Sequence, residues 1–263
     1  MKCHICKNHS VKIFDQAILK KHRVNYYKCT RCNFIQTDEP FWLEEAYSKA
    51  IALTDVGLVS RNLRLSKVIH TIICRFFNPN ARFIDYGAGY GLLVRLLRDS
   101  GFNFYHYDKN CENLLSHHFS ANLDTDTKYE LLTAIEVFEH VTEPIEEIKK
   151  MLSCSDNILF TTMLTPGRHS PPNDWWYYTP QTGQHVSFYS MDSLQEIAKQ
   201  FNLNLSSNSK NIHLLSAKPI NNSQFKFFSN YITAHAVSFL TRRRSLRDAD
   251  YQYALKSDRT NIE

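Results

Sequence analysis

Phe83-Ile-Asp-Tyr-Gly-Ala-Gly-Tyr-Gly91 is an apolar run that ends in an acid and three alternating glycines. The residues that follow, Leu92-Leu-Val-Arg-Leu-Leu97, have the apolar spacing of a helix. Together they predict a strand, a tight turn and a helix start. Glycines at such a turn remove Cβ atoms, so the backbone can adopt positive φ and approach a ligand closely.

The glycine spacing separates this turn from dinucleotide-binding turns, which are spaced G-x-G-x-x-G. Here the pattern is Gly87-x-Gly89-x-Gly91, with Asp85 two residues ahead. It resembles the first motif of class I S-adenosylmethionine (SAM)-dependent methyltransferases, where the turn accommodates the amino-acid part of the cofactor. The resemblance implies that these four residues bind SAM.

Two later segments extend the resemblance. Residues 102–108 read as a short aromatic strand ending in Asp108, at the spacing expected for a carboxylate that binds ribose hydroxyls. Residues 128–144 read as an apolar strand running into a helix start, similar to the fourth-strand region of the type 11/23-like methyltransferase group. By that resemblance Glu136 also lies near the cofactor.

The alternation of strand and helix patterns predicts an α/β fold. We expect a Rossmann-like, seven-stranded, mostly parallel sheet with helices on both faces and an antiparallel hairpin edge. The third strand, near Phe119 to Leu123, has little β character. The strand candidates are 82–85, 103–108, 129–135, 157–162, 203–207 and 212–217, with two short ones, 11–14 and 24–28, near the N-terminus.

Four regions are expected along the chain. They are a zinc-ribbon-like segment at 1–39, a helical linker or lid at 40–79, the SAM-binding domain at 80–218, and a C-terminal helical extension and tail at 219–263.

Four of the seven cysteines have metal-ligand spacing. They are Cys3, Cys6, Cys29 and Cys32, two C-x-x-C knuckles typical of a zinc ribbon. Four thiolates leave no open position on the ion, so we expect structural Zn²⁺ that stabilises a segment too small to fold alone. His4 or His9 could replace one cysteine.

Composition and the cysteine count argue against several classes of protein. An odd number of cysteines argues against a complete disulfide framework, and no apolar run is long enough to cross a membrane. The start at Met1 lacks an apolar signal-peptide core, so we expect a cytoplasmic protein. The net charge of +5 is modest, and its sharpest cluster is Arg242 to Arg244 with Arg247.

Residues 40–77 have helical spacing, interrupted by residues 55–62. In many class I methyltransferases the helices before the first strand close over the cofactor. Asp55, Arg61 and Asn62 could therefore face the active site. The alternative is that they cap helices and form a surface ion pair.

Residues 164–180 have no helical or strand pattern, so we expect a loop. The loop is more aromatic than a simple linker. Trp175, Trp176, Tyr177 and Tyr178 could form a platform for an acceptor ring, or could simply cover the core. After the loop, residues 191–201 predict an amphipathic helix capped by Ser190.

Residues 225–240 are aromatic with helical spacing and precede the arginine cluster. We expect this helix to pack on its own domain with the arginines solvated. The alternative is a membrane surface or a phosphate ligand. The polar tail beyond is expected to fray.

A helix that begins near Glu136 would place Glu136, Glu139 and His140 on one face. Two carboxylates and an imidazole suit Mg²⁺, Mn²⁺ or Fe²⁺. The pattern is similar to that of ubiquinone-biosynthesis O-methyltransferases and small-RNA 2′-O-methyltransferases, and the further histidine of the RNA enzymes corresponds to His185. In the alternative, Glu139 is solvated and His140 packs or acts as a base unaided; otherwise Tyr177, Tyr178 or His185 is the base.

These observations favour SAM-dependent O-methylation of a sugar, nucleotide sugar or related small metabolite, so that a small molecule or glycan is the acceptor. One alternative is an RNA 2′-O-methyltransferase in which the zinc ribbon and the arginines hold phosphates. Another is a zinc-dependent interaction module on an inactive fold. A zinc site beside a SAM domain also resembles sugar C-methyltransferases, but those carry a large second domain where this chain has about forty-five residues.

Overall fold

A computed structural model describes residues 1–47, 55–166 and 175–260, which form two sheets and eight α-helices. The strands are β1 (Ser10–Ile18), β2 (His22–Cys29), β3 (Ile35–Thr37), β4 (Arg82–Tyr86), β5 (Asn103–Tyr107), β6 (Leu131–Ala134), β7 (Asn157–Thr161), β8 (Ser187–Phe188), β9 (Asn204–Ser207) and β10 (Ile212–Ser216). The small sheet has the strand order β1-β2-β3-β8, and the large sheet has the order β5-β4-β6-β7-β10-β9. The α-helices are α1 (Leu43–Ala46), α2 (Leu58–Phe76), α3 (Leu92–Asp99), α4 (Pro144–Cys154), α5 (Met191–Gln200), α6 (Asn222–Phe228), α7 (Tyr231–Leu240) and α8 (Arg247–Thr260).

The large sheet confirms the expected α/β class. Strands β4 to β7 are parallel, and β10 runs antiparallel between β7 and β9. Helices α2 and α3 pack on one face and α4 and α5 on the other, each burying the apolar stripe that its sequence periodicity predicts. Helix α5 is capped by Ser190 as expected.

The seventh strand is reduced to one bridge. His106 of β5 pairs with Ser120, its amide donates to Phe119 O at 2.7 Å, and Ala121 N donates to His106 O at 2.7 Å. The large sheet therefore has six full strands among the described residues. The polar sequence around Ser120 explains why the ladder does not continue.

The N-terminal sheet is larger than expected and is built partly from a distant segment. Strands β1 and β2 are nine and eight residues long, and β3 pairs with β8 through Ile35↔Phe188 and Gln36↔Ser187. Strands of two or three residues are too short to show an alternating pattern, so neither β3 nor β8 could be predicted from the sequence.

The four knuckle cysteines converge within this N-terminal region. The Sγ atoms of Cys3 and Cys32 lie 3.6 Å apart, those of Cys6 and Cys29 lie 3.4 Å apart, and all four fall within 4.8 Å of one another. Tetrahedral Zn–S bonds of 2.3 Å would separate the sulfurs by ~3.8 Å, so the set fits one zinc ion. Neither His4 nor His9 belongs to the set.

The helix expected to begin near Glu136 is absent there. Glu136 has φ 53°, and a 3₁₀ turn follows at Phe138–His140. Helix α4 begins only at Pro144, whose fixed φ and missing N–H suit a first helical position. The prediction that Glu136, Glu139 and His140 share one face of a helix was therefore wrong.

The C-terminal extension also differs from expectation. The helical stretch is divided into α6 and α7, because the side chain of Asn230 accepts from Ile232 N at 3.0 Å and caps α7. The tail forms α8 instead of fraying. Its Asp250 carboxylate accepts from Arg98 Nη2 at 2.6 Å and Nε at 2.9 Å in a nearly buried ion pair.

Part of the segment predicted as a helical linker or lid, including Ala50 and Leu53, lies in residues 48–54, outside the described residues. Among the described helices, none has the length and apolar character that a bilayer crossing requires. The cytoplasmic location stays a prediction.

The cysteine cluster yields the first testable prediction. Elemental analysis should give about one zinc per chain, since the thiolates already lie at tetrahedral spacing. Cys29→Ser should lose the metal and speed hydrogen exchange in β1 and β2, while some SAM affinity remains. Cys74→Ser, outside the cluster, is the matched control and should keep the zinc. A wild-type protein that is fully folded without metal would contradict the assignment.

Candidate active site

A cavity of about 760 Å³ lies at the carboxyl ends of β4, β5 and β6. This edge of an open parallel sheet is where ligands bind, and the volume is ordinary for a small-molecule pocket. The predicted site residues on its wall are Arg61, Asp85, Gly87, Gly89, Asp108, Glu136, His140, Trp176, Tyr177 and His185.

The glycine turn forms one wall, and all three of its glycines have positive φ. They differ in whether a side chain would have room. A Cβ at Gly87 would lie 2.7 Å from Val137 Cγ2, and one at Gly91 would lie 2.8 Å from Asn113 Oδ1. A Cβ at Gly89 would meet nothing within 4 Å, although φ is 55°. The fold therefore requires Gly87 and Gly91, whereas Gly89 leaves its backbone open to the cavity.

Asp108 holds this turn in place. Its Oδ2 accepts from Gly89 N at 2.8 Å, and its Oδ1 accepts from Asn110 N at 2.8 Å and Cys111 N at 2.9 Å. A carboxylate accepts roughly four hydrogen bonds, so one acceptor site of Asp108 stays free. The bond from Asp108 to the glycine turn was not predicted from the sequence, and the ribose contact stays a prediction.

Asp85 is 2% exposed at the end of β4, and its carboxylate accepts from Thr133 Oγ1 at 2.6 Å. Burial raises the pKa of Asp85 to about 7. Glu136 is held on the wall differently, because its Oε1 accepts from Thr161 Oγ1 at 2.7 Å while its amide donates to the same hydroxyl.

Glu139, His140 and His185 form a second group. One ligand atom from each lies within 4.8 Å of the other two, and the imidazole rings are 4.9 Å apart and nearly perpendicular. Glu136 is not part of this group. The structure thus brings together three of the four residues expected at the reacting atoms.

Backbone contacts create this group from two separate segments. The 3₁₀ turn presents Glu139 and His140, and Val186 N donates to Glu139 O at 2.9 Å. His185 Nδ1 donates to Tyr177 O at 2.7 Å, which leaves its Nε2 lone pair free.

Glu139 has an unusual environment for a carboxylate. It is completely buried, and neither oxygen has a hydrogen-bond partner among the described residues. Burial, and secondly the charge of Glu136, raises the pKa of Glu139 well above its usual range; the Tyr177 and Thr162 hydroxyls lower it only in part and fall short of hydrogen-bond geometry. Two unsatisfied buried oxygens beside two imidazoles fit a divalent cation.

The imidazoles are neutral near pH 7. Burial lowers the pKa of His140 to about 3, with His185 as the second cause, and burial lowers the pKa of His185 to about 4. Neutral rings offer lone pairs to a metal. As general bases they are poorly matched to pH 7, because their conjugate acids are strong.

The segment predicted as a linker or lid contributes a residue that sequence reasoning missed. The Tyr47 hydroxyl lies 2.8 Å from His140 Nδ1, and Gln184 Nε2 donates to Ala46 O at 2.9 Å. Trp42 Nε1 donates to Gly183 O at 2.8 Å. An aromatic residue in a helical pattern was the only available signal, and it did not distinguish Tyr47 from a core residue.

Of the two interpretations of residues 55–62, the ion pair and the position facing the cavity agree with the structure, but helix capping does not: α2 already begins at Leu58, and its N-cap, Gly57, makes no side-chain cap. Asp55, Arg61 and Asn62 line the cavity, and Arg61 donates to both oxygens of Asp55 at 3.0 and 2.7 Å. The Arg61 Nε is buried without a partner among the described residues.

The expected aromatic platform is only half present. Trp176, 68% exposed, and Tyr177 line the cavity. Trp175 and Tyr178 instead pack on Phe188 of the small sheet, with ring centroids 5.8 and 4.8 Å away, so they cover the core. Residues 167–174 of the loop lie outside the described residues.

Solved structures similar to this chain include an O-methyltransferase family 2 protein from Planctomyces limnophilus in complex with apigenin (11% identity, 69% of this chain and 63% of that one, TM-score 0.47). Others are human N-acetylserotonin methyltransferase in complex with SAM (11%, 68% and 66%, 0.43) and a possible histamine N-methyltransferase from Thermotoga maritima (11%, 62% and 92%, 0.42). The chain thus spans less than two thirds of the first two. At these TM-scores the likeness carries no argument about the acceptor.

A search among curated proteins finds no match. The family model described as a methyltransferase domain matches residues 60–208, which is more than half of the chain and includes the glycine turn, Asp108 and all three residues of the second group. The chain therefore belongs to the SAM-dependent methyltransferase family.

Proposed function

We propose that this protein methylates a hydroxyl group of a sugar, nucleotide sugar or related small metabolite. The observation that carries the proposal is one cavity whose wall includes both the glycine turn with Asp108 and the His140–His185 pair. A cofactor at the turn and an acceptor hydroxyl at the histidines would then share one cavity. Holding two reactants in line supplies much of the rate acceleration in a displacement.

The residues at the turn would bind and orient the cofactor. The open backbone at Gly89 would accept its amino-acid part, and the free lone pair of Asp108 would accept from the ribose. SAM supplies a methyl group made electrophilic by the sulfonium. The chain must therefore place the acceptor oxygen and remove its proton.

We propose further that Glu139, His140 and His185 hold a divalent cation. The support is the unsatisfied buried carboxylate and the two neutral imidazoles within 4.8 Å. Two imidazoles and one carboxylate favour Mn²⁺ over Mg²⁺, which prefers oxygen ligands. Such an ion lowers the pKa of a hydroxyl.

The acceptor would lie against Trp176 and Tyr177. The exposed indole of Trp176 offers a face on which a sugar or base can stack. Arg61, already paired with Asp55 at the wall, would face a phosphate of a nucleotide sugar.

Product analysis tests the reaction directly. The purified protein, labelled SAM and a metabolite extract should yield a product heavier by one methyl group, and its fragmentation should place the methyl on oxygen. A methyl on carbon or nitrogen, or transfer only to added RNA, would contradict the proposal.

Gly89→Val should abolish SAM binding while the protein stays folded. A Cβ there meets no protein atom within 4 Å, so the branched side chain enters the cofactor's space, although φ of 55° adds some strain. Calorimetry should show at least a hundredfold weaker binding with an unchanged circular dichroism spectrum. Gly57→Ala, at φ −87° and with room for a Cβ, is the control and should bind normally.

Alanine at Glu139, His140 or His185 should lower turnover about 10²-fold or more and change SAM affinity little, since the glycine turn is untouched. A mild chelator should silence the enzyme without removing the cysteine-bound zinc, and Mn²⁺ should restore it better than Mg²⁺. Cys74→Ser, which lies outside both the cavity wall and the group, should keep its activity. Activity that survives chelation while His140→Ala abolishes it would leave a histidine base as the mechanism.

A further inference from the structure

Helix α7 carries its large apolar side chains on the outside. Its small residues Ala234 and Ser238 are buried against the protein. Ile232, Phe239 and Leu240 are 82%, 75% and 80% exposed. A helix that stabilises its own domain normally shows the reverse arrangement. Packing among the described residues therefore does not account for this face.

These exposed residues form one continuous strip. Ile232, Ala236, Phe239 and Leu240 are spaced i, i+4, i+7 and i+8, which places them within about 100° of one another around the helix axis. We call this strip the outer face of α7. Its aliphatic and aromatic character is typical of a surface that is covered by an apolar medium or partner.

The outer face lies within the basic part of the chain. Residues 218–247 contain six lysines or arginines and no acid, which leaves 25 basic and 26 acidic residues elsewhere. Arg243 is held by Asn80 and by Gly101 O. Four other basic side chains are exposed, with no ion-pair partner among the described residues: Lys218, Lys226, Arg242 and Arg244.

We propose that the outer face of α7 and these four basic residues dock the protein on an anionic lipid surface. An interfacial helix buries its apolar side chains at the headgroup boundary while lysines and arginines meet the lipid charges. A second copy of the chain fits less well, because a twofold interface would place each basic cluster against its own copy. RNA would use the arginines but not Ile232, Phe239 and Leu240.

Helix α2 connects the start of α7 to the cavity. Leu58, Arg61 and Asn62 of α2 line the cavity. The guanidinium carbon of Arg64, three residues after Arg61 on the same helix, lies 5.6 Å from the centre of the Tyr231 ring at the start of α7. Helix α2 thus links the cavity wall to the lipid-facing helix. Docking would hold the cavity near the membrane surface.

Co-sedimentation with phosphatidylcholine vesicles, with and without phosphatidylserine, tests the proposal on the full chain. The wild-type protein should bind only the anionic vesicles. Ile232→Asp combined with Phe239→Asp should weaken binding about tenfold or more, because two buried apolar contacts are lost. Arg242→Gln combined with Arg244→Gln should weaken it about fivefold per charge. Added salt should weaken the binding of the wild-type protein to anionic vesicles but should not change the order of the variants' affinities.

Two double variants serve as matched controls. Val11→Asp with Ile13→Asp alters two exposed apolar residues of β1, and Lys20→Gln with Lys199→Gln removes two exposed charges; both should bind vesicles like the wild type. Circular dichroism and SAM affinity establish that each variant is folded. Wild-type affinity for vesicles in the Ile232/Phe239 variant would overturn the proposal. A wild-type protein that binds no vesicles would also overturn it, and so would one that uses the same residues to form a dimer or to bind RNA instead.

Discussion

The hydrogen bond from Val186 N to Glu139 O, 2.9 Å long, joins the two halves of the proposed catalytic group. The carbonyl oxygen of Val186 accepts a hydrogen bond from Thr37 N at 3.2 Å. The residues that follow Val186 form β8, which pairs with β3. His185 is the neighbour of Val186, so main-chain bonds on both sides set its position. A histidine fixed in this way needs no adjustment when a ligand arrives, which is what a preorganised site requires.

The same constraint gives the cysteine cluster a part in the site. Cys29 N donates to Phe34 O at 2.8 Å, so the second knuckle sets where β3 begins. The hydroxyl of Ser190, the cap of α5, donates to Cys32 O at 2.8 Å. The knuckle therefore borders β8 through both β3 and α5. A metal that orders the knuckle would also order the segment that carries His185.

The sequence predicted the large sheet well because its strands are apolar runs bounded by turn residues, and the glycines mark positive φ that other residues avoid. It misplaced Glu136 because helical periodicity was applied to a segment that begins with φ 53° at that residue. It missed β8 because two residues show no period. Order in the tail depends on the pair Arg98–Asp250, which joins residues 152 positions apart and has no local signal.

The pairing of Ile35 with Phe188 has a consequence for how the chain is made. During synthesis the first three strands leave the ribosome early, but the strand that covers the edge of β3 follows about 150 residues later. Until then that edge, and the apolar residues of the small sheet that Phe188 covers, stay exposed, and an unpaired edge invites association with other chains. Early capture of the hairpin by the four thiolates would limit that exposure.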